Sequence, residues 1–129
     1  GLNIDKDILR DARAGQYKLD ANIKLAADVG KILLQLKGET SLPVSIELSI
    51  SSSSRGSEYE YLQKIMLSQT SPGNYEGAIK IPSPSDSINL KLWHVKIVGA
   101  DWRLTSDWQD PLHSPLQIKP QTNNQGVDK

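Results

Sequence analysis

The sequence predicts an all-β protein, an antiparallel two-sheet sandwich with a short N-terminal helix. From Tyr17 onward, apolar and polar residues alternate in short runs, which is the pattern of strands that bury one face. Segments rich in Gly, Pro, Ser and Asn separate the runs and are typical of turns. Seven short strands with polar outer faces favour an immunoglobulin-like sandwich, with a closed barrel as the alternative. An open sheet backed by a helix is disfavoured, because the chain offers one short helix only.

Length and composition exclude several classes of protein. The 129 residues provide one core, and we divide the chain into a helical segment at 1–15, the sandwich at 16–109 and a proline-containing tail at 110–129. Fifteen basic and 15 acidic residues give a formal net charge of zero, which makes no electrostatic case for nucleic acid or an anionic membrane as partner. Cysteine is absent from the sequence, so disulfides and thiol chemistry are excluded.

The first element is a predicted helix at 4–14, in the segment NIDKDILRDARAG. Asn3 or Asp5 is the candidate N-cap, and Gly15 is the predicted stop. So short a helix is marginal unless it packs on something. Its packing surface is a narrow apolar stripe formed by Ile4, Ile8, Leu9 and Ala12.

The predicted strands lie, in order, within YKLDANIKLA, KILLQLK, PVSIELSI, EYLQKIML, NYEGAIKIP, INLKLWHVKIV and DWRLTSDW. In most of these runs the apolar residues of one parity are predicted to face the core, although EYLQKIML is less regular. In INLKLWHVKIV we assign the inward face to Ile88, Leu90 and Leu92. The predicted core includes Leu19, Ile23, Leu34, Ile46, Leu48, Ile79, Leu90 and Leu104.

The tail at 110–129 contains three prolines and has no sustained period. Two interpretations of it stay open at this point. It packs on the sandwich through Leu112, Leu116 and Ile118, or it is mobile.

The sequence contains no recognisable catalytic or metal-binding motif. The two histidines lie in unrelated contexts, His94 in a predicted strand and His113 in the tail, and no G-x-S-x-G elbow or glycine-rich phosphate loop is present. We interpret His94 as a surface or edge histidine and Met66, the one methionine, as part of the core. Since copper sites prefer Cys, Met or clustered His, we expect no metal site. Because catalytic and phosphate-binding motifs are absent from the sequence, we also expect no cofactor and no enzymatic activity.

The large aromatic residues have two interpretations. Exposed together, they form a platform for a sugar, and buried, they fill the core. The core interpretation is favoured, because these side chains bury much apolar area and the sequence has no Phe. The residues concerned are Trp93, Trp102, Trp108, Tyr59, Tyr61 and Tyr75.

Three segments towards the C-terminal end together resemble the FixH family, also called CcoH. They are PGNYEG at 72–77, the predicted strand at 88–92 and DWRLTSDW at 101–108. Members of the family have a similar G-x-Y-x-G before two closing strands, and the last strand bears a W-R-L-like segment.

The opening GLNIDKDILRDARAG also resembles that family. In its members a single membrane helix is followed by a junction and then a short helix, and Gly1, Leu2 and Ile4 stand in the matching places of the junction. The resemblance therefore covers residues 1 to about 108.

The resemblance implies a small non-enzymatic protein of the bacterial inner membrane, anchored by a helix that precedes Gly1, with its sandwich in the periplasm. FixH proteins serve in the assembly of the cbb-type cytochrome c oxidase, alongside a copper-transporting P-type ATPase. Oxidase subunits or that ATPase are therefore the expected partners, and residues 1–15 become a juxtamembrane segment.

One loop departs from the family pattern. Many members carry His-Pro followed by an acidic residue in the central loop, whereas this chain reads SISSSSRGSEYE, with Glu58 or Glu60 as the acidic counterpart and no histidine. A metal role tied to that histidine is not expected here.

The implied tether places the partner-facing surface near the membrane end, with Ile4, Ile8, Leu9 and Asp11 as its candidate residues. The alternative is that the apolar stripe packs on the chain's own sandwich. A function of another class also stays open, a secreted or surface immunoglobulin-like module that binds carbohydrate or mediates adhesion. An uncleaved spanning helix before Gly1 would indicate the assembly factor, and a cleaved signal peptide the secreted module.

Overall fold

The computed structural model describes the backbone of residues 2–53, 60–81 and 91–120 and the side chains of residues 6–52, 61–81 and 91–120. In this part of the chain a helix, α1 (Leu2–Gln16), precedes eight strands. The strands are β1 (Asp20–Ala26), β2 (Lys31–Lys37), β3 (Ser45–Ser53), β4 (Glu60–Ser71), β5 (Asn74–Ala78), β6 (Leu92–Val98), β7 (Arg103–Gln109) and β8 (Leu116–Ile118). A one-turn 3₁₀ helix, Ala27–Val29, connects β1 to β2.

The described strands form one antiparallel sheet with the order β7-β6-β3-β4-β5-β2-β1-β8. The sheet curls into a nearly closed barrel. Near the place where the ends of the sheet approach, the Trp108 indole of β7 donates a hydrogen bond to the Ser114 carbonyl, 2.8 Å away and just before β8.

The antiparallel all-β class with one short helix is therefore confirmed. The predicted immunoglobulin-like division into two sheets is not seen, and the architecture is closer to the barrel alternative. The physical reason is that alternation shows which face of a strand is buried. A sandwich and a barrel both satisfy that condition.

The segment that matches G-x-Y-x-G shapes the hairpin of β4 and β5. Gly73 lies in the turn with φ 81°, and a Cβ there would stand 2.9 Å from the carbonyl oxygen of Leu36. Gly77 allows close packing, because its Cβ would lie 2.7 Å from Cδ2 of Leu67. Tyr75 between them is buried. All three fixed residues of this segment therefore have a structural role.

The core lies inside the barrel and consists mainly of alternate residues of the strands. Leu90, one of the predicted core residues, lies outside the described residues. The prediction is confirmed for the other seven, all of them buried: Leu19, Ile23, Leu34, Ile46, Leu48, Ile79 and Leu104.

Two assignments of strand face are wrong. Leu92, the one described member of the inward set predicted for its strand, is half-buried on the outer parity of β6. The apolar residues of β6 itself decide its parity, because the parity of Trp93 is apolar throughout the strand, whereas the parity of Leu92 also holds His94 and Lys96. Met66, predicted in the core, is 60% exposed on β4. The buried residues of β6 are Trp93, Val95 and Ile97.

Helix α1 runs past Gly15, its predicted stop, and ends in a Schellman motif. The backbone N–H of Leu19 donates to the carbonyl of Ala14, and the N–H of Lys18 donates to the carbonyl of Gly15, each at 3.1 Å. Lys18 adopts the left-handed conformation, φ 53°, that glycine usually supplies at this position. Leu19 and Ala14 are both buried, so the end of the helix is fixed to the core.

Residues 111–120 of the tail pack on the barrel. Leu116–Ile118 forms β8, which pairs with β1. Ile118 is buried, and Leu112 and Leu116 pack against the core as partly buried residues. The first interpretation of the tail therefore holds for this part, and residues 121–129 lie outside the described residues.

Candidate functional site

Helix α1 is held on the barrel by a charged contact with β7. The Asp11 carboxylate accepts hydrogen bonds from Nε and Nη2 of Arg103 at 2.9 and 2.8 Å, and Asp7 lies 3.1 Å from Nη1 of the same guanidinium. Asp11 is only 5% exposed. The hydrogen bond with Asp11 is the main cause that raises the pKa of Arg103 above its ordinary value. A bidentate contact of this kind fixes the relative orientation of the guanidinium and the carboxylate as well as their distance.

A second polar contact joins the helix to the turn between β6 and β7. The Tyr17 hydroxyl donates to the Asp101 carboxylate at 2.6 Å, and Arg10 donates to the carbonyl of Gly99 at 3.3 Å. The hydrogen bond to Asp101 raises the pKa of Tyr17. The contacts in this region give each residue of the W-R-L segment a structural role. Trp102 and Leu104 fill the core, and Arg103 between them holds the helix through Asp11.

The outer side of α1 carries exposed apolar side chains. Ile8 is 45% exposed and Leu9 53% exposed, and Ala12 also faces solvent. The barrel therefore does not cover this part of the predicted stripe. The side chain of Ile4 lies outside the described residues. We call the surface of Ile8 and Leu9 the helix patch.

The candidate interface residues thus separate into two groups. Ile8 and Leu9 lie in the helix patch, whereas Asp11 points to the barrel and is occupied by Arg103. A partner bound at the helix patch would not reach the Asp11 carboxylate without breaking that contact. The role of Arg103 was missed, because sequence spacing alone does not show which strand a helix will contact.

The histidines and acidic residues form small surface pairs. His94 Nδ1 lies 2.6 Å from Asp107 Oδ1 between β6 and β7, and His113 Nδ1 lies 2.8 Å from Asp110 Oδ1. His94 is exposed, which confirms its interpretation as a surface histidine. Among the described residues, no group of three or more His, Cys, Asp or Glu side chains is placed to hold a metal ion.

The aromatic residues fill the core rather than a surface. Trp93, Trp102, Trp108 and Tyr75 are buried, which confirms the core interpretation for these four residues. Tyr61 is half-buried, and Tyr59 lies outside the described residues. The described tryptophans therefore offer no exposed platform to a sugar.

The central loop that departs from the family pattern falls largely outside the description. Residues 54–59 are not described, and Glu60, one of the two acidic counterparts, begins β4.

The described helices include none with both the length and the apolar character needed to cross a bilayer. No protein-family model, curated protein or solved structure compared with this chain gives a significant match.

Proposed function

We propose that this protein is a non-enzymatic, membrane-tethered accessory factor for assembly of the cbb-type cytochrome c oxidase, as its resemblance to the FixH family implies. In this proposal a helix preceding Gly1 anchors it in the bacterial inner membrane, and the barrel faces the periplasm. The partner is an oxidase subunit or a copper-transporting P-type ATPase. The observation that supports the proposal is the helix patch, an apolar surface on a helix whose other side is fixed to the barrel.

The size of the helix patch suits a weak contact between tethered proteins. Covering the exposed halves of Ile8 and Leu9 contributes about 1 kcal/mol each. Tethering two proteins to one membrane gives an effective concentration of about 1 mM, and half-occupancy then requires about 4 kcal/mol. The helix patch thus supplies about half of the required free energy, and polar contacts around it supply the rest.

Photo-crosslinking in the full-length protein tests this placement. A crosslinking amino acid at Ile8 or Leu9 is expected to capture an oxidase subunit or the copper-transporting ATPase. The matched control is Val29, which is 61% exposed in the 3₁₀ helix at the other end of the barrel and is expected to capture neither. Asp11 is unsuitable as a probe position, because its replacement breaks the contact with Arg103. Capture of these partners at Val29 alone would place the interface elsewhere.

A functional assay separates the partner surface from the proposed role. The double variant Ile8→Ser with Leu9→Ser is expected to leave the thermal stability of the protein nearly unchanged, because both side chains are already exposed. It is expected to lower the cbb-type oxidase activity of membranes severalfold, and Val29→Ser is expected to leave that activity unchanged. Normal oxidase activity in cells that lack this protein altogether would contradict the role itself.

The alternative function, a secreted or surface module that binds carbohydrate or mediates adhesion, lacks a supporting observation among the described tryptophans, since all three are buried. The segment that precedes Gly1 in the natural protein discriminates between the two proposals. An uncleaved spanning helix favours the assembly factor, and a cleaved signal peptide favours the secreted module.

A further inference from the structure

The outer face of β4, β3, β6 and β7 forms a shallow groove of about 820 Å³. The register of the strands places one residue of each directly opposite the next, in the row Lys64, Ser49, Lys96 and Thr105. Two lysines therefore flank a serine across three neighbouring strands. This row lies on the barrel wall and is separate from the helix patch.

The serine at the centre of the row is unusual for the outer face of a sheet. Ser49 is only 7% exposed, and its hydroxyl oxygen has no hydrogen-bond partner among the described residues. A buried hydroxyl that lacks a partner is costly, and native structures rarely keep one without a reason. A ligand in the groove that accepts a hydrogen bond would supply the missing partner once a neighbouring side chain moves aside, because the oxygen itself is buried.

The two lysines are available for an anion. Neither Lys64 nor Lys96 forms an ion pair with another described residue. Neighbouring strands lie about 4.8 Å apart, so the two Cα atoms are about 10 Å apart and both flexible side chains can reach one group above Ser49. The one carboxylate that lines the groove, that of Asp107, is paired with His94 at 2.6 Å. The lining therefore has a net positive charge.

We propose that this groove binds a phosphate-type oxyanion through Lys64, Lys96 and Ser49. The two ammonium groups supply charge-assisted hydrogen bonds, and the Ser49 hydroxyl donates a third. Leu62, which is exposed at the edge of the groove, offers an apolar contact to an organic substituent. The ligand class is thus a phosphate ester, either a soluble one or the headgroup of an anionic lipid. The proposal does not depend on the assembly function.

NMR titration of the ¹⁵N-labelled chain with glycerol 3-phosphate, at constant ionic strength, tests the site. We expect saturable shifts of the amides of Ser49, Lys64 and Lys96, with a dissociation constant of about 1–10 mM for two exposed ion pairs and one hydrogen bond. Replacing both lysines, Lys64→Gln with Lys96→Gln, is expected to weaken binding about tenfold. Ser49→Ala is expected to weaken it about threefold to tenfold without loss of fold, since the hydroxyl it removes has no protein partner.

The control variant is Lys24→Gln, because Lys24 is likewise exposed in the middle of a strand but lies on β1, outside the groove. Flotation with phosphatidylglycerol and phosphatidylcholine vesicles separates the two sources of the ligand. Binding to phosphatidylglycerol that the double lysine variant abolishes assigns a lipid headgroup, and saturable binding of glycerol 3-phosphate alone assigns a soluble ester. Shifts that do not saturate, or that respond equally to Lys24→Gln, together with no such vesicle binding, overturn the proposal.

Discussion

Two indole rings at the centre of the core differ in how their N–H groups are satisfied. Trp93 and Trp108 pack edge to face, with centroids 5.8 Å apart and planes at 88°. The Trp108 N–H donates to the carbonyl of Ser114. The Trp93 N–H has no acceptor among the described residues. Both rings are fully buried, and of the two only the Trp108 ring has a described acceptor for its N–H.

The first prediction compares the same substitution at the two sites. Trp108→Phe should lower the free energy of unfolding by about 1 kcal/mol more than Trp93→Phe, because only the first removes a satisfied hydrogen bond. Urea unfolding of the two variants measures the difference. Equal losses for the two variants, or a larger loss for Trp93→Phe, would contradict this prediction. The hydrogen bond of Trp108 would then not be the larger contribution, and the packing of the Trp93 indole would outweigh it.

At the scale of elements, the contact between α1 and β7 converts a marginal helix into a fixed part of the molecule. A helix of 15 residues has little stability by itself. The guanidinium of Arg103 ties the helix to β7, and the hydroxyl of Tyr17, the residue that follows the helix, ties its C-terminal end to Asp101. The helix patch is therefore held in one orientation.

The second prediction concerns the buried half of this contact. Asp11→Asn keeps the size of the side chain but removes its charge. We expect a loss of about 2 kcal/mol in the free energy of unfolding, because the Arg103 guanidinium loses its ion pair and one of its two hydrogen bonds with this side chain. Asp28→Asn, in the exposed 3₁₀ helix, is the control and should stay within about 0.5 kcal/mol of the parent. Equal effects of the two variants would mean that the contact contributes nothing to stability.

The buried face of a strand was predictable from the sequence wherever its odd and even positions, which point to opposite faces of the sheet, differ clearly in apolar character. In KILLQLK and DANIKLA one parity holds larger apolar residues, and the structure buries that parity. In INLKLWHVKIV the apolar residues change parity between Leu92 and Trp93. The described strand β6 begins at Leu92, so its buried face follows the second parity, and the assignment made from the first was wrong. Helix α1 was predicted too short, because Lys18 supplies the left-handed turn that was expected of Gly15.

At the scale of the whole molecule, the alternation of apolar and polar residues does not show which strands lie next to each other in the sheet. The pairing of β3 with β6 and of β1 with β8 joins distant parts of the chain. The groove row of Lys64, Ser49 and Lys96 exists only because of that register, so no motif in the linear sequence indicates it. By contrast, local spacing places Ile8 and Leu9 on the apolar stripe of a helix. Whether that stripe faces solvent or packs on the barrel does not follow from spacing, and only the structure shows both side chains exposed.

The third prediction tests the contribution of β8 to the barrel. Ile118→Ala should lower the free energy of unfolding by about 2–4 kcal/mol, because Ile118 is buried where β8 pairs with β1. Lys119→Ala, at the exposed neighbouring position, should change it by about 0.5 kcal/mol or less. Thermal or urea unfolding of both variants provides the measurement, and similar values for the two would show that β8 rests on the barrel without stabilising it.

The pairing of the first strand with the last described strand has a consequence for synthesis. The ribosome delivers β1 early, but its partner β8 only after all the other described strands. Until residue 118 has emerged, one edge of β1 exposes unpaired backbone groups that can pair with another chain. A pause in translation between β7 and β8 would therefore hold a nearly finished barrel with this edge open, so that a neighbouring nascent chain could add a strand to it.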